Sequence, residues 1–127
     1  MSVLADTSVW VEYLRGSGCL EVVDFLIDEN LVVSNELIQA ELLPPLLVRG
    51  EDELVSLLKQ IPLVPLRVDW DDLVRLQVTC LRNGVNKVGL PDLIIVQNAI
   101  NNGLRLFSVD KHFQLLARII PVDLFED

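Results

Sequence analysis

The fold begins with Val3-Leu4-Ala5-Asp6-Thr7-Ser8-Val9-Trp10. Three apolar residues open a short strand, and Asp6, Thr7 and Ser8 supply cap chemistry for a helix that runs to about Arg15. Gly16 and Gly18 stop that helix, so the first unit is strand, turn, helix.

The unit repeats outward. A helix over 20–29 is followed by the β-branched run Leu31-Val32-Val33, a strand that Ser34 and Asn35 convert into a third helix over 35–43. Pro44 and Pro45 predict a kink or a stop in that helix, and a Leu-rich helix follows over 51–60. Residues 62–68 are punctuated by proline and read as an extended edge or short strand; Asp69 caps a helix over 71–82 that ends at Asn83-Gly84. After a loop over 85–90, Pro91 starts a helix that ends at Asn102-Gly103. A strand over 104–109, a helix over 111–118 and a final strand over 119–124, interrupted by Pro121, complete the chain. Strands alternate with helices and are too apolar for one wet face. The fold class this predicts is three-layer α/β/α with a mainly parallel sheet, in which ligands gather at the carboxyl ends of the strands.

Composition agrees with one domain over 1–127. The chain is 51% hydrophobic and 23% charged, enough to fill a core and too apolar for disorder. Ten Lys and Arg stand against nineteen Asp and Glu, for a formal charge of −9, so surface charge alone cannot hold a nucleic acid. Cys19 and Cys80 form no CxxC pair and read as buried thiols in a reducing compartment. No secretion signal and no membrane span are legible, which places the protein in the cytoplasm. The run over 42–48 leads us to expect apolar surface buried against a partner or a second copy.

The catalytic inventory is short. A single His112, two isolated cysteines and no glycine-rich phosphate loop exclude a serine or cysteine triad, a P-loop and a dinucleotide site. Carboxylates remain. Most, such as Glu51, Asp52, Glu53, Asp71, Asp72, Glu126 and Asp127, sit at helix starts or at the tail as solvated charge. Four are placed differently. Asp6 and Asp110 each follow a strand, where each is also a helix cap. Glu41 lies within the stripe Leu37, Ile38 and Leu42 and is expected to aim at the core. Asp92 lies in the first turn after Pro91, on the face of Ile95, Val96 and Ala99. Converging carboxylates need neutralisation, and an all-oxygen set without His or Cys selects Mg²⁺ or Mn²⁺, which suits phosphodiester hydrolysis. A phospho-acceptor receiver domain shares the sheet type and a Mg²⁺-binding acid cluster, and a metal-free binding module is a third reading.

Asp6-Thr7-Ser8, Ala40-Glu41-Leu42, Leu90-Pro91-Asp92-Leu93-Ile94-Ile95 and Phe107-Ser108-Val109-Asp110-Lys111-His112-Phe113, in that order, resemble the PIN-domain ribonucleases and in particular the VapC-like toxins of toxin–antitoxin pairs. The resemblance implies a metal-dependent endoribonuclease in which Asp6, Glu41, Asp92 and Asp110 hold one or two Mg²⁺ or Mn²⁺ ions. It further implies that Ser8 and Ser108 are polar neighbours of the site, and that the protein is a homodimer inhibited by an antitoxin whose C-terminal part wraps it. Arg15, Lys87 and Lys111 flank the acid blocks as candidate contacts to RNA phosphates. Trp10, at helical spacing with Tyr13 and Leu14, reads as core. Two positions depart from the pattern: His112 stands where the family often has an acid, and Val96-Gln97-Asn98 replaces an alanine-rich run. The ligand count stays open on that account.

Overall fold

The computed structural model describes residues 2–126; Asp127, read above as tail charge, lies outside them. Val3–Ala5 forms β1, buried throughout, between β2 (Val32–Val33) and β3 (Arg105–Phe107) in the order β2-β1-β3. Both pairings are parallel, with Val3 opposite Val32 and Ala5 opposite Phe107. Single parallel bridges extend the sheet, Ser34 to Leu63 at one edge and Leu106 to Leu124 at the other.

Among the described residues seven helices cover this sheet: α1 (Thr7–Leu14), α2 (Leu20–Asp28), α3 (Glu36–Val48), α4 (Asp52–Gln60), α5 (Trp70–Arg82), α6 (Leu90–Asn101) and α7 (Lys111–Leu116). The three-layer α/β/α class expected from the alternation is the class observed. Leu4 and Leu106 of the sheet, Ile38 of α3, Leu93 and Ile95 of α6 and Phe113 of α7 are all buried in one core. Trp10 is fully buried as expected, edge-on to Tyr13 with ring centres 5.9 Å apart. Cys80 is buried, whereas Cys19 is only half-buried and points its Sγ at Glu12 Oε2 at 3.6 Å. No helix among the described residues is long and apolar enough to cross a membrane.

Three expectations need correction. α3 does not stop at Pro44-Pro45 but continues to Val48. The two prolines leave the carbonyls of Ala40 and Glu41 without helical donors; all four residues are exposed, so water can serve those carbonyls and the break is avoided. Residues 62–68 and 119–124 are not strands and touch the sheet through one bridge each. For 62–69 the reason is visible. The segment is tied down by buried side chains of α6 instead of a ladder. Asn98 Nδ2 donates to the Pro65 carbonyl at 2.7 Å, and Gln97 Nε2 donates to the Asp69 carbonyl while its Oε1 accepts from Asp69 N, both at 3.0 Å. Asn98 Oδ1 also accepts from Asn35 Nδ2 at 2.9 Å, and Asn35 caps α3 through Ile38 N. The departure at Gln97-Asn98 is thus a polar clamp across the fold. Finally, α7 ends at Leu116 rather than at residue 118, in turns closed by Arg118 N to Leu115 O and Ile119 N to Leu116 O.

The turn into β3 depends on Gly103. Its φ of +62° closes α6 with Gly103 N to Ile100 O and Leu104 N to Ala99 O, and redirects the chain into the sheet.

Candidate active site

The register that places Ala5 opposite Phe107 brings the carboxyl ends of β1 and β3 side by side, so Asp6 and Ser108 leave the sheet together. Asp6 is 4% exposed. Its Oδ1 accepts from Ser8 Oγ at 2.6 Å and from Val9 N at 3.2 Å, and its Oδ2 accepts from Ser108 Oγ at 2.7 Å. Asp6 is therefore both helix cap and site acid. Each serine has one proton; with both given to Asp6, the hydroxyl oxygens accept in turn from Val109 N and Asp110 N. The two serines thus relay backbone N–H groups onto one buried carboxylate. Burial pushes the Asp6 carboxyl above its ordinary range; the hydrogen bonds from Ser8, Ser108 and Val9 oppose this, and the charge of Asp110 adds to it.

Asp110 caps α7 through His112 N at 3.0 Å, and His112 Nδ1 lies 3.2 Å from the same Oδ1. Asp92, in the first turn of α6, is half-buried, and no hydrogen bond reaches its carboxylate among the described residues. Its carboxyl is pushed above the ordinary range by burial first, and then by the charges of Asp110, Asp6 and Glu41, with His112 opposing. One carboxyl thus feels the other three. Glu41 corrects the sequence reading. It is exposed rather than aimed at the core, because Ile38, Leu42 and Leu46 form the buried face of α3 and Glu41 stands at its edge, where Thr7 Oγ1 donates to Glu41 Oε1 at 2.8 Å.

A cleft of about 490 Å³ opens beside Glu41, lined by Thr7, Val11, Leu14 and Leu46 and flanked by Arg15 and Arg49. Arg15 was legible as a candidate; Thr7 and Arg49 were not singled out as site residues, because only the packing of α1 beside α3 builds the cleft they share with Glu41. Lys87 is exposed on the rim of a separate groove with His112, and Lys111 is exposed next to Asp110. Among the described residues no three Asp, Glu, His or Cys side chains stand together as a ready-made metal cage. The donor chemistry nevertheless fits a hard divalent cation. The four carboxylates offer only oxygen, and Asp92 brings a half-buried charge that no described hydrogen bond relieves.

A parallel three-layer domain with acids gathered at the carboxyl edge of its sheet defines a class of α/β proteins that bind ligands at that edge. Within it, the model of the PIN domain family matches residues 3–119, and the chain belongs to the PIN domain family. The receiver-domain reading falls with that assignment. No curated protein matches the chain. Among solved structures, the fold is similar to that of VapBC2 from Rickettsia felis bound to a DNA fragment from their promoter, with a TM-score of 0.78 and 16% identity over 98% of both chains. It is also similar to FitAcB from Neisseria gonorrhoeae, with a TM-score of 0.72 and 20% identity over 98% of this chain and 96% of the other. VapBC-1 from nontypeable Haemophilus influenzae gives a TM-score of 0.76 at 16% identity over 99% and 98%.

Proposed function

We propose that this protein is a metal-dependent endoribonuclease, the toxin of a toxin–antitoxin pair, acting in the cytoplasm on RNA. The observation that carries the proposal is the edge where Asp6 and Asp110 follow the paired strands β1 and β3, beside a half-buried Asp92 whose carboxyl is raised by burial first and then by the charges of Asp110, Asp6 and Glu41. Asp6, Glu41, Asp92 and Asp110 would hold Mg²⁺ or Mn²⁺, which when bound polarises a phosphoryl oxygen and makes hydroxide available near neutral pH. Ser8 and Ser108 hold the Asp6 carboxylate in one orientation, and Thr7 holds Glu41 at the mouth of the cleft. Arg15, Lys87 and Lys111 meet phosphates on either side of the acids, as local cations in a chain of formal charge −9. An antitoxin partner is supported by the solved neighbours, which are VapBC and FitAcB complexes. The apolar walls of the cleft, with Arg15 and Arg49 at its rim, suit an amphipathic segment of that partner. A homodimer belongs to the same proposal.

The second reading is a catalytically silent binding module, favoured by the lack of a ready-made cage among the described residues. Cleavage of end-labelled structured RNAs with Mg²⁺ or Mn²⁺ against EDTA separates the two. The nuclease reading expects cutting that EDTA stops and that Asp92→Asn reduces by at least about 100-fold. Cutting of equal rate in EDTA or in Asp92→Asn would overturn it.

A further inference from the structure

A groove of about 330 Å³ lies between the loop over 83–88 and α7. His112 stands on its rim with Nδ1 3.2 Å from Asp110 Oδ1, so the groove opens one side chain away from the acids. Its walls are apolar. Val85 and Val88 are half-buried against the core and give part of their surface to the groove, and Leu115, 43% exposed, lines it from α7. The loop is held at both ends. Gly84, at φ +72°, closes α5, with Val85 N donating to the Cys80 carbonyl at 2.9 Å, and Gly89 caps α6. A wall fixed in this way costs little ordering when a ligand binds.

The polar groups of the groove say which ligand suits it. Asn86 is exposed there, and among the described residues its carboxamide makes no hydrogen bond. It offers a donor beside an acceptor, the pattern that reads the edge of a nucleobase. Lys87, next in the chain, is exposed and enters no ion pair among the described residues, a cation placed for a backbone phosphate in a chain of formal charge −9. The volume lies at the lower end of the ~300–1,000 Å³ of small-ligand sites, room for one nucleotide and not for a protein helix. An unstacked base of a single strand is apolar on its faces, polar at its edge and tethered to a phosphate, which is the chemistry of this groove. A second hollow of about 200 Å³ shares Val85, Asn86 and Val88 but borders none of the four acids and not His112.

We infer that the groove between residues 83–88 and α7 takes an unstacked base of single-stranded RNA flanking the scissile phosphate, with Val85, Val88 and Leu115 against its faces, Asn86 at its edge and Lys87 on its phosphate. This rests on the RNA substrate of the proposed function and adds the place of a flanking nucleotide; it does not need cleavage, so the two fail separately. Single-stranded RNA of about 12 nucleotides, random in sequence and carrying 4-thiouridine, is bound to the full chain with Ca²⁺ in place of Mg²⁺ and irradiated. Mass spectrometry of the tryptic digest is expected to find crosslinks on segments 83–87 and 112–118, and to find them there in Asp92→Asn as well. Val88→Trp and Leu115→Trp, which fill the groove, should each lower these crosslinks at least about tenfold, with circular dichroism melting to confirm folding. In binding titrations of the same RNA, Asn86→Ala should weaken affinity about fivefold at an unchanged salt slope, whereas Lys87→Ala should lower the slope by about one. Crosslinks that fall elsewhere, no crosslink at all, or groove-filling variants that fold and crosslink like wild type overturn the inference. Leu115→Trp, at a surface position, decides the matter if Val88→Trp does not fold. Crosslinks on these segments in a protein that cuts no RNA leave the inference standing and overturn the nuclease reading alone.

Discussion

Asp92 and Asp6 are both held above the ordinary carboxyl range, Asp92 by burial and three neighbouring carboxylates, Asp6 by burial working against three hydrogen bonds. A carboxyl whose folded value exceeds its unfolded value opposes folding at pH above both values and ceases to do so below the unfolded value, near about 4. Asp92→Asn should therefore raise the melting temperature by a few degrees at pH 7, and the gain should shrink as pH falls through the raised folded value and be gone below about 4. Melting curves at the two pH values check this, and a variant less stable than wild type at pH 7 would contradict it. Ser108→Ala removes a donor that lowers the Asp6 carboxyl, so Asp6 should rise further and the acid limb of any cleavage profile should move to higher pH. A pH–rate profile reads that shift. At this scale the sequence was legible where an acid followed a strand, as at Asp6 and Asp110, because backbone position alone sets that place. It misled at Glu41, because the stripe edge and the core differ by one step around a helix. It marked Thr7 only as cap chemistry after β1, because its partner Glu41 lies 34 residues away.

Helix α3 shows how an element can override its residues. Pro44 and Pro45 fall where the lost donors face water, so packing of Leu42 and Leu46 carries the helix through. Pro44→Ala restores an N–H for the Ala40 carbonyl and should stabilise the protein by about 1–2 kcal/mol, the helix gain offset in part by a freer unfolded chain. A lower urea midpoint would contradict the continuous helix. Asn98→Ala should cost about 2–3 kcal/mol, since it strips Asn35 Nδ2 of its partner and leaves the Pro65 carbonyl only the longer bond from Asn102 Nδ2 at 3.3 Å, and hydrogen exchange should show 62–69 opening first. The same clamp explains why a strand was expected there: Pro62 and Pro65 gave an extended reading, but the partners of the segment are side chains that no local pattern reveals. The elements with strong local signals, such as the Asp6 and Asn35 caps and the Gly103 turn, came out within a residue or two of expectation.

For the whole molecule, the alternation of short apolar strands with helices was enough for the parallel sheet, because such strands must be covered on both faces. Asp6 and Asp110 reach one edge only through the parallel pairing that sets β1 and β3 side by side, with α6 and its Asp92 packed against β3 and Glu41 tied to Thr7 of α1, and no single segment contains that arrangement. The proposed function requires Asp6, Glu41, Asp92 and Asp110 to form one hard-cation site. Titration of Mn²⁺ into the protein, followed by electron paramagnetic resonance, tests it most directly. Saturable binding by wild type is expected, weakened by at least about tenfold in Asp92→Asn and again in Asp6→Asn, with both variants folded. Binding of equal strength in wild type and both variants, or no saturable binding by folded wild type, would contradict it.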